Sequence, residues 1–382
     1  MNLEQEIIAI RRYIHQNPEL GGCEFNTAKF IESKLKKLKM PYKRVGKTGV
    51  ISTIEALKSR KTIALRADMD ALPICEKNTN IEYISKKINV MHACGHDAHI
   101  AIILGAGKLL CEKKSELKGN VRLIFQPSEE VSDGAKSMIN GGALKNPNVD
   151  FILGIHVNPW LKSGKIGLKF GSMMAAVDEL TIEITGAIAH GAYPQQGKDA
   201  LLAASIFVNM IQGIISREID PIEPAVITLG KIEGGDAYNV ICEKIILYGT
   251  VRTFNNKIRN LIKASILRKL KAIEMAYGVK SVFCYNEIGN ALVNTPQITK
   301  LCIKTAKKFY GEDNIKILEN PSMGGEDFSE YLSVVPGNYI YIGTSKDKST
   351  SYPWHHSNFN IDESVMLKAA EYVAYTVEQF LE

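Results

Sequence analysis

At 382 residues the chain exceeds the size at which one hydrophobic core usually stops growing, so two domains are expected. Its 45% hydrophobic and 23% charged residues are those of an ordinary soluble globular protein. A net charge of +6, carried in short lysine runs such as KLKKLKM (34–40), is too dilute for a nucleic-acid stripe, and no nucleic-acid partner is expected.

Taken in chain order, MNLEQEIIAIRRYIHQ has no apolar signal core, and residues 3–16 and 26–39 carry apolar positions at helical spacing. TIALRADMDALP (62–73) opens as a buried strand and stops at Pro73. AHIAIILGAGKLL (98–110) reads as a buried helix, NVRLIFQPSEE (120–130) as a strand and DFILGIHV (150–157) as another. Short apolar strands separated by helices imply an α/β sheet covered on both faces. Near Gly171 the texture changes: AVDELTIEITG (176–186) alternates apolar and polar residues, as in a sheet with one wet face. The helix KDALLAASIFVNMIQGII (198–215) follows, then strands AVITLGKIEGG (225–235) and KIILYGTVRTF (244–254), then a lysine-rich helix over 256–278. This order suggests a small α+β sandwich inserted into the larger domain. The α/β texture returns after about residue 287, with a helix at 296–309, the strand NYIYIGT (338–344) and a closing helix at 362–381. The expected division is 1–174 with 288–382 as one discontinuous domain, and 175–287 as the insertion.

No later segment offers the run of about 18 uninterrupted apolar residues that a membrane helix needs, so a cytoplasmic protein with no membrane partner is expected. Seven scattered cysteines fit reduced thiols better than a disulfide framework.

The chemistry concentrates in VMHACGHDAHI (90–100), which holds three of the chain's eight histidines together with Cys94 and Asp97. Metal binding is the obvious use, but one segment cannot close a site. Four other places are chemically loaded, most of them at strand ends, where open α/β sheets gather ligands. Glu129-Glu130 follow the strand VRLIF; in extended chain neighbours point opposite ways, so one carboxylate could bind metal and the other act as base. Equally, both could complement the N-terminal dipole of a helix through DGAKSMI. His156 ends an apolar strand and is either a core histidine or a ligand. His355-His356 lie in a loop, and GGED (324–327) is an acidic turn or a close backbone approach. Cys94 and His96, two apart, would face the same way in extended chain. Together these residues offer the mixed sulfur, nitrogen and oxygen set that zinc, manganese, cobalt or nickel accepts, and a bridging thiolate suits a dinuclear site.

A resemblance rests on RRYIHQNPELGGCEFNTAKFI, ALRADMDALPI, MHACGHDAHIAIILGAGKLL, VRLIFQPSEE, GIHVNP, GAIAHGAYPQQGKDAL, GGDAYNVI, YGTVRTF, GGEDFSEYL and HHSNFNIDE. In this order they resemble the bacterial and plant metal-dependent amidohydrolases: aminoacylases, hippurate hydrolases, auxin-conjugate hydrolases and N-acetyldiaminopimelate deacetylases. That family belongs to the zinc-peptidase superfamily with an inserted lid domain. The resemblance implies an α/β catalytic domain with a mixed central sheet flanked by helices, plus an α+β lid. It implies two divalent metal ions held by Cys94, His96, Glu130, His156 and His355, with His355 preferred to His356 by aligning Phe359 with the family's aromatic. Ser357 stands where the family often has proline or alanine. Glu129 resembles the base that deprotonates water and later protonates the leaving amine. Asp68 resembles an aspartate that supports the metal site by orienting imidazoles. His190 resembles a lid histidine that stabilises the oxyanion, and Asn239 and Arg252 resemble lid residues that contact substrate, Arg252 through a substrate carboxylate.

The activity implied is hydrolysis of a small N-acyl amino acid to a carboxylate and a free amino acid, with a homodimer through the lid as a further expectation. A dipeptidase or carboxypeptidase, and a non-catalytic metal-binding relative, are the alternatives. His92 is expected to hydrogen-bond near the site, His99 to satisfy backbone or Asp97, and His15 to cap and pack the first helix. The six other cysteines read as ordinary thiols.

Overall fold

The computed structural model describes residues 1–57 and 61–382. They form two compact units, Met1–Met173 with Val293–Asn320 and Asp327–Glu382, and Met174–Leu292 with Pro321–Glu326. The expected division placed its boundaries at 174/175 and 287/288. The short piece Pro321–Glu326 joins the second unit through backbone bonds from Ala175 to Ser322 and Gly324.

In the first unit, α1 (Leu3–Gln16) starts at a capping box, in which Asn2 accepts from the Gln5 backbone and the Gln5 side chain reaches back. α2 (Phe25–Lys37) buries Ala28, Ile31 and Leu35, one stripe at helical spacing. The sheet then builds from β1 (Tyr42–Val45), β2 (Gly49–Ile54), β3 (Thr62–Asp68), β4 (Asn120–Gln126), β5 (Phe151–Lys162) and β6 (Ile166–Leu168), with strands Ile315–Ile317 and Gly337–Ser345. Its order is β1-β2-β4-β3-β5, then Gly337–Ser345, β6 and Ile315–Ile317. β3 is parallel to both β4 and β5, and Gly337–Ser345 is parallel to β5, while β1, β2 and β4 pair antiparallel, so the sheet is mixed.

α3 (His96–Glu112) is buried almost all round and packs on α1, β3 and the closing helix. An all-apolar helix is what such a central position requires. α4 (Gly134–Asn140) follows the Glu129-Glu130 turn. Two elements run differently from expectation. β3 ends at Asp68, where its ladder with β4 closes at Asp68–Gln126, five residues before Pro73. β5 continues to Lys162, because Gly337–Ser345 follows it to a Ser345–Lys162 pair across a bulge.

The second unit has an antiparallel sheet in the order Ala225–Gly234, Lys244–Thr253, Ala176–Thr185, Lys280–Gly289. α5 (Ala200–Arg217) is capped by Asp199, and α6 (Asn256–Tyr277) is capped by Asn255 and ends at Gly278 with φ +66°. Both helices share a core with Leu180, Ile182, Ile184, Ile245, Leu247 and Val251. By length and composition alone α5 could cross a membrane. Ala203, Phe207, Ile211 and Ile214 lie in this core, while Leu201 and Leu202 are exposed.

The first unit closes with α7 (Pro296–Tyr310), the short α8 (Phe328–Leu332) and α9 (Met366–Leu381). Its parallel strands end along one edge, where Asp68, the Glu129-Glu130 turn and His156 collect.

Candidate metal centre and active site

The local chain differs from the extended geometry expected of it. Gly95 sits at φ +92° and starts α3, so Cys94 and His96 converge across a left-handed turn. A Cβ on Gly95 would lie 2.3 Å from Cγ2 of Val157, so no side chain fits there. Glu129 and Glu130 stand in a turn after Ser128, which has φ +57°, and both carboxylates face the same way. Their oxygens lie 3.9 and 3.7 Å from Nε2 of His96.

Three groups of donor atoms follow: Cys94, His96 and His156; Cys94, Glu130 and His355; and His96, Glu129 and Glu130. The first two share the Cys94 sulfur. Sγ of Cys94 is 3.4 Å from Nε2 of His156, and Nε2 of His355 is 3.3 Å from Oε2 of Glu130. His355 takes φ +63°, a left-handed backbone rare outside glycine, and its N–H donates to Ala93, tying its loop to the Cys94 turn. His356 stands apart, stacked on Tyr352 and accepting from the Asn358 N–H.

Two buried atoms carry the test of fit for a cation. Nε2 of His96 and Oε1 of Glu130 have no hydrogen-bond partner, yet face each other at 3.7 Å. Unpaired buried polar atoms are costly, and ligands about 2 Å from a shared ion would stand this far apart. The sulfur, imidazole and carboxylate set suits a borderline divalent cation.

The electrostatics agree. His156 Nδ1 donates to the Val157 carbonyl at 2.8 Å, which turns its Nε2 lone pair toward the Cys94 sulfur. Burial, with His99 and His96 nearby, holds its pKa well below the usual value, so the ring is neutral. Burial works against a charged His96, but Asp68, Asp70 and Glu130 outweigh it and raise its pKa to about 10. Without a cation His96 carries the positive charge of this pocket, and a metal must displace that proton.

Asp68 does orient an imidazole, but that of His99, at 2.6 Å; its other oxygen is 3.7 Å from Nε2 of His96. Nδ1 of His96 instead faces Asp70 at 3.2 Å, and Asp70 also accepts from the Glu130 N–H. Behind them Arg66, fully buried, donates to Asp68, Gln126 and Asp327 at 2.6, 2.9 and 2.8 Å. Burial opposes the charge on Asp68, yet His96, His99 and Arg66 hold its carboxyl well below the usual range.

A second buried network supports α3. Oδ2 of Asp97 accepts from Arg11 at 3.1 Å and lies 2.8 Å from Nδ1 of His15, whose Nε2 meets Glu76 at 3.1 Å. His15 therefore anchors Asp97, the residue after His96, and does not cap its own helix. Neither ring nitrogen of His92 has a partner, against the expected hydrogen bond near the site, and burial lowers its pKa to about 3. His99 bonds Asp68 and the Val157 N–H, not Asp97.

His190, Asn239 and Arg252 belong to the second unit. His190 pairs with Val240 in a two-residue ladder, its Nδ1 accepts from Ala192, and Asn239 accepts from Gly191. Both side chains are exposed. Arg252 lies half-buried on Lys244–Thr253, opposite Val177.

Arg66, Asp70, Gln126 and Asp327 were not singled out as site residues from the sequence. The visible signal was charge, an arginine and two aspartates in the otherwise apolar ALRADMDAL.

The model of Peptidase family M20/M25/M40 matches residues 64–379. The chain belongs to this family. It is an amidohydrolase. An N-acetyl-L-cysteine deacetylase of Bacillus subtilis is 40% identical over 382 residues, covering 100% of this chain and 89% of the relative. A hippurate hydrolase of Campylobacter jejuni is 35% identical, covering 100% and 98%. A solved Bacillus subtilis structure described as a dinuclear metal-binding peptidase of the M20 family superposes with a TM-score of 0.87 at 33% identity, covering 99% and 98%.

Proposed function

We propose that this M20-family enzyme hydrolyses the amide bond of N-acyl amino acids, with two divalent cations, zinc, manganese, cobalt or nickel, held by Cys94, His96, Glu130, His156 and His355. The observation that carries this reading is the pair of donor groups sharing one sulfur, beside a second carboxylate, Glu129. A pure metal sink needs no second glutamate. When bound, the cations supply Lewis acidity that polarises a carbonyl and acidifies water.

The chain's own residues do the rest. Asp70 and the Val157 carbonyl fix the proton of each imidazole on Nδ1, leaving Nε2 to bind. Glu129, 3.9 Å from Nε2 of His96, is placed to take the proton of the attacking water and return it to the leaving nitrogen. His190, Asn239 and Arg252 are proposed as substrate contacts, Arg252 for the amino-acid carboxylate.

The names of the deacetylase and the hippurate hydrolase favour acyl amides over peptides. The test assays metal-reconstituted protein on N-acetyl-L-cysteine, hippurate, N-acetyldiaminopimelate and dipeptides with a free amine. Turnover of the acylated amino acids is expected, and activity confined to dipeptides would reject the reading. Glu129→Gln should lower kcat by roughly 10²–10⁴-fold while retaining the metals. A variant with parental turnover would remove Glu129 from its role.

A further inference from the structure

The backbone of one residue beside the centre, Val157, is held at both its N–H and its carbonyl. The imidazole of His99 donates from Nδ1 to Oδ1 of Asp68 at 2.6 Å, so its Nε2 is an acceptor, and the Val157 N–H donates to it at 2.9 Å. The carbonyl of the same residue accepts twice, from Nδ1 of His156 at 2.8 Å and from Nε1 of Trp354 at 2.9 Å. A carbonyl has two lone pairs, and both are used. The Val157 side chain closes against Gly95, between the ligands Cys94 and His96. The Trp354 ring meets the His156 ring edge-on at 4.8 Å.

We propose that His99 and Trp354 are positioning residues that clamp the Val157 backbone, one at each of the two peptide groups flanking its Cα, and through it aim Nε2 of His156 at the cation. The inference rests on the metal-centre reading above and extends it outward. Because a carbonyl can only accept, the clamp also fixes the proton of His156 on Nδ1. Hydrogen bonds thereby tie Asp68 through His99 to the Val157 N–H, and the Val157 carbonyl to His156, so that the short backbone of Val157 joins the two sides of the donor cluster. Neither His99 nor Trp354 supplies an atom to the three donor groups that contain Cys94 or Glu130. Outer partners of metal-bound histidines act in this way, by fixing the tautomer and the ring plane.

The test titrates cobalt(II) into the cation-free protein, following the thiolate-to-cobalt charge-transfer absorption of Cys94 and the bound stoichiometry, with no substrate present. Trp354→Phe keeps the ring and deletes one donor; His99→Phe keeps a ring and deletes both links. Each is expected to lose about 10–100-fold in cobalt affinity and to shift the charge-transfer band. His99→Gln, which offers an amide oxygen to the Val157 N–H, should recover part of the loss. Parental affinity and spectrum in Trp354→Phe and His99→Phe would overturn the proposal. Should His99→Phe fail to fold, Trp354→Phe decides alone, since its ring still fills the space. Absence of the thiolate–cobalt band from the parent protein would instead overturn the metal-centre reading itself.

Discussion

Both units bury aspartate against arginine, and two of these carboxylates, Asp97 and Asp178, behave oppositely. In the first unit Asp97 meets Arg11 and His15; burial opposes its charge, but these cations hold its carboxyl far below the usual range. In the second, Asp178 meets Arg259 at 2.9 Å and the Tyr285 hydroxyl at 2.6 Å, and burial raises its pKa because these partners only partly offset it. Burial opposes the charge in both places, but Asp97 has Arg11 and His15 beside it, whereas Asp178 has Arg259 with the like charge of Glu287 nearby. The first network is committed to charge one residue from His96. The second joins sheet to helix and can accept a proton.

Breaking the two pairs should expose that difference. Arg11→Met strands Asp97 in the interior and is expected to cost about 3–5 kcal/mol in denaturant unfolding of the cation-free protein. Arg259→Met should cost less, about 1–3 kcal/mol, because Asp178 can protonate and keep its bond to Tyr285. Equal losses would remove the distinction.

Cations should act on one unit only. Stripping them with a chelator is expected to remove about 2.7 kcal/mol of stability relative to protein held at 100 times the dissociation constant, as read by thermal unfolding. Hydrogen exchange should place that loss in the first unit, and equal loss of protection in both would break the comparison.

The smallest effect is the pH dependence. Burial lowers the His15 pKa, but Asp97 and Glu76 outweigh it, so His15 binds its proton more tightly when folded. Its contribution is complete below its unfolded pKa of about 6.5 and is lost as pH rises through the higher folded value. Asp97 is depressed, so its contribution is present above an unfolded pKa of about 3.9 and is lost as pH falls through the folded value. Asp178 is raised, so its contribution is largest in acid and fades as pH rises through its folded pKa. Unfolding measured across pH should therefore show acid weakening the first network while relieving the second, and His15→Gln should flatten the alkaline limb. An unchanged limb would remove His15 from the network.

The sequence disclosed the parts of this molecule that depend on local pattern. The apolar run of α3, the alternation of Ala176–Thr185 and the buried strands that carry Asp68 and His156 follow from periodicity, although the ends of those two strands do not. Cys94, His96, Glu130, His156 and His355 stood out because their side chains are scarce or sit at strand ends. Their supports did not, because those contacts join remote positions: Arg66 reaches Asp327 across 261 residues and Arg11 reaches Asp97 across 86. The expected backbone partner of His99 is found in the Val157 N–H, but its bond to Asp68, 31 residues away, has no local signature. The short β1, with two exposed residues in four, offered no apolar run to detect.

The sulfur of Cys94 is common to two donor groups, which makes the centre economical and fragile at once. If Cys94 holds two cations as proposed, a lone peroxide molecule converting that atom to a sulfenic acid would unseat both together and would couple the enzyme's working life to the reducing power of its surroundings.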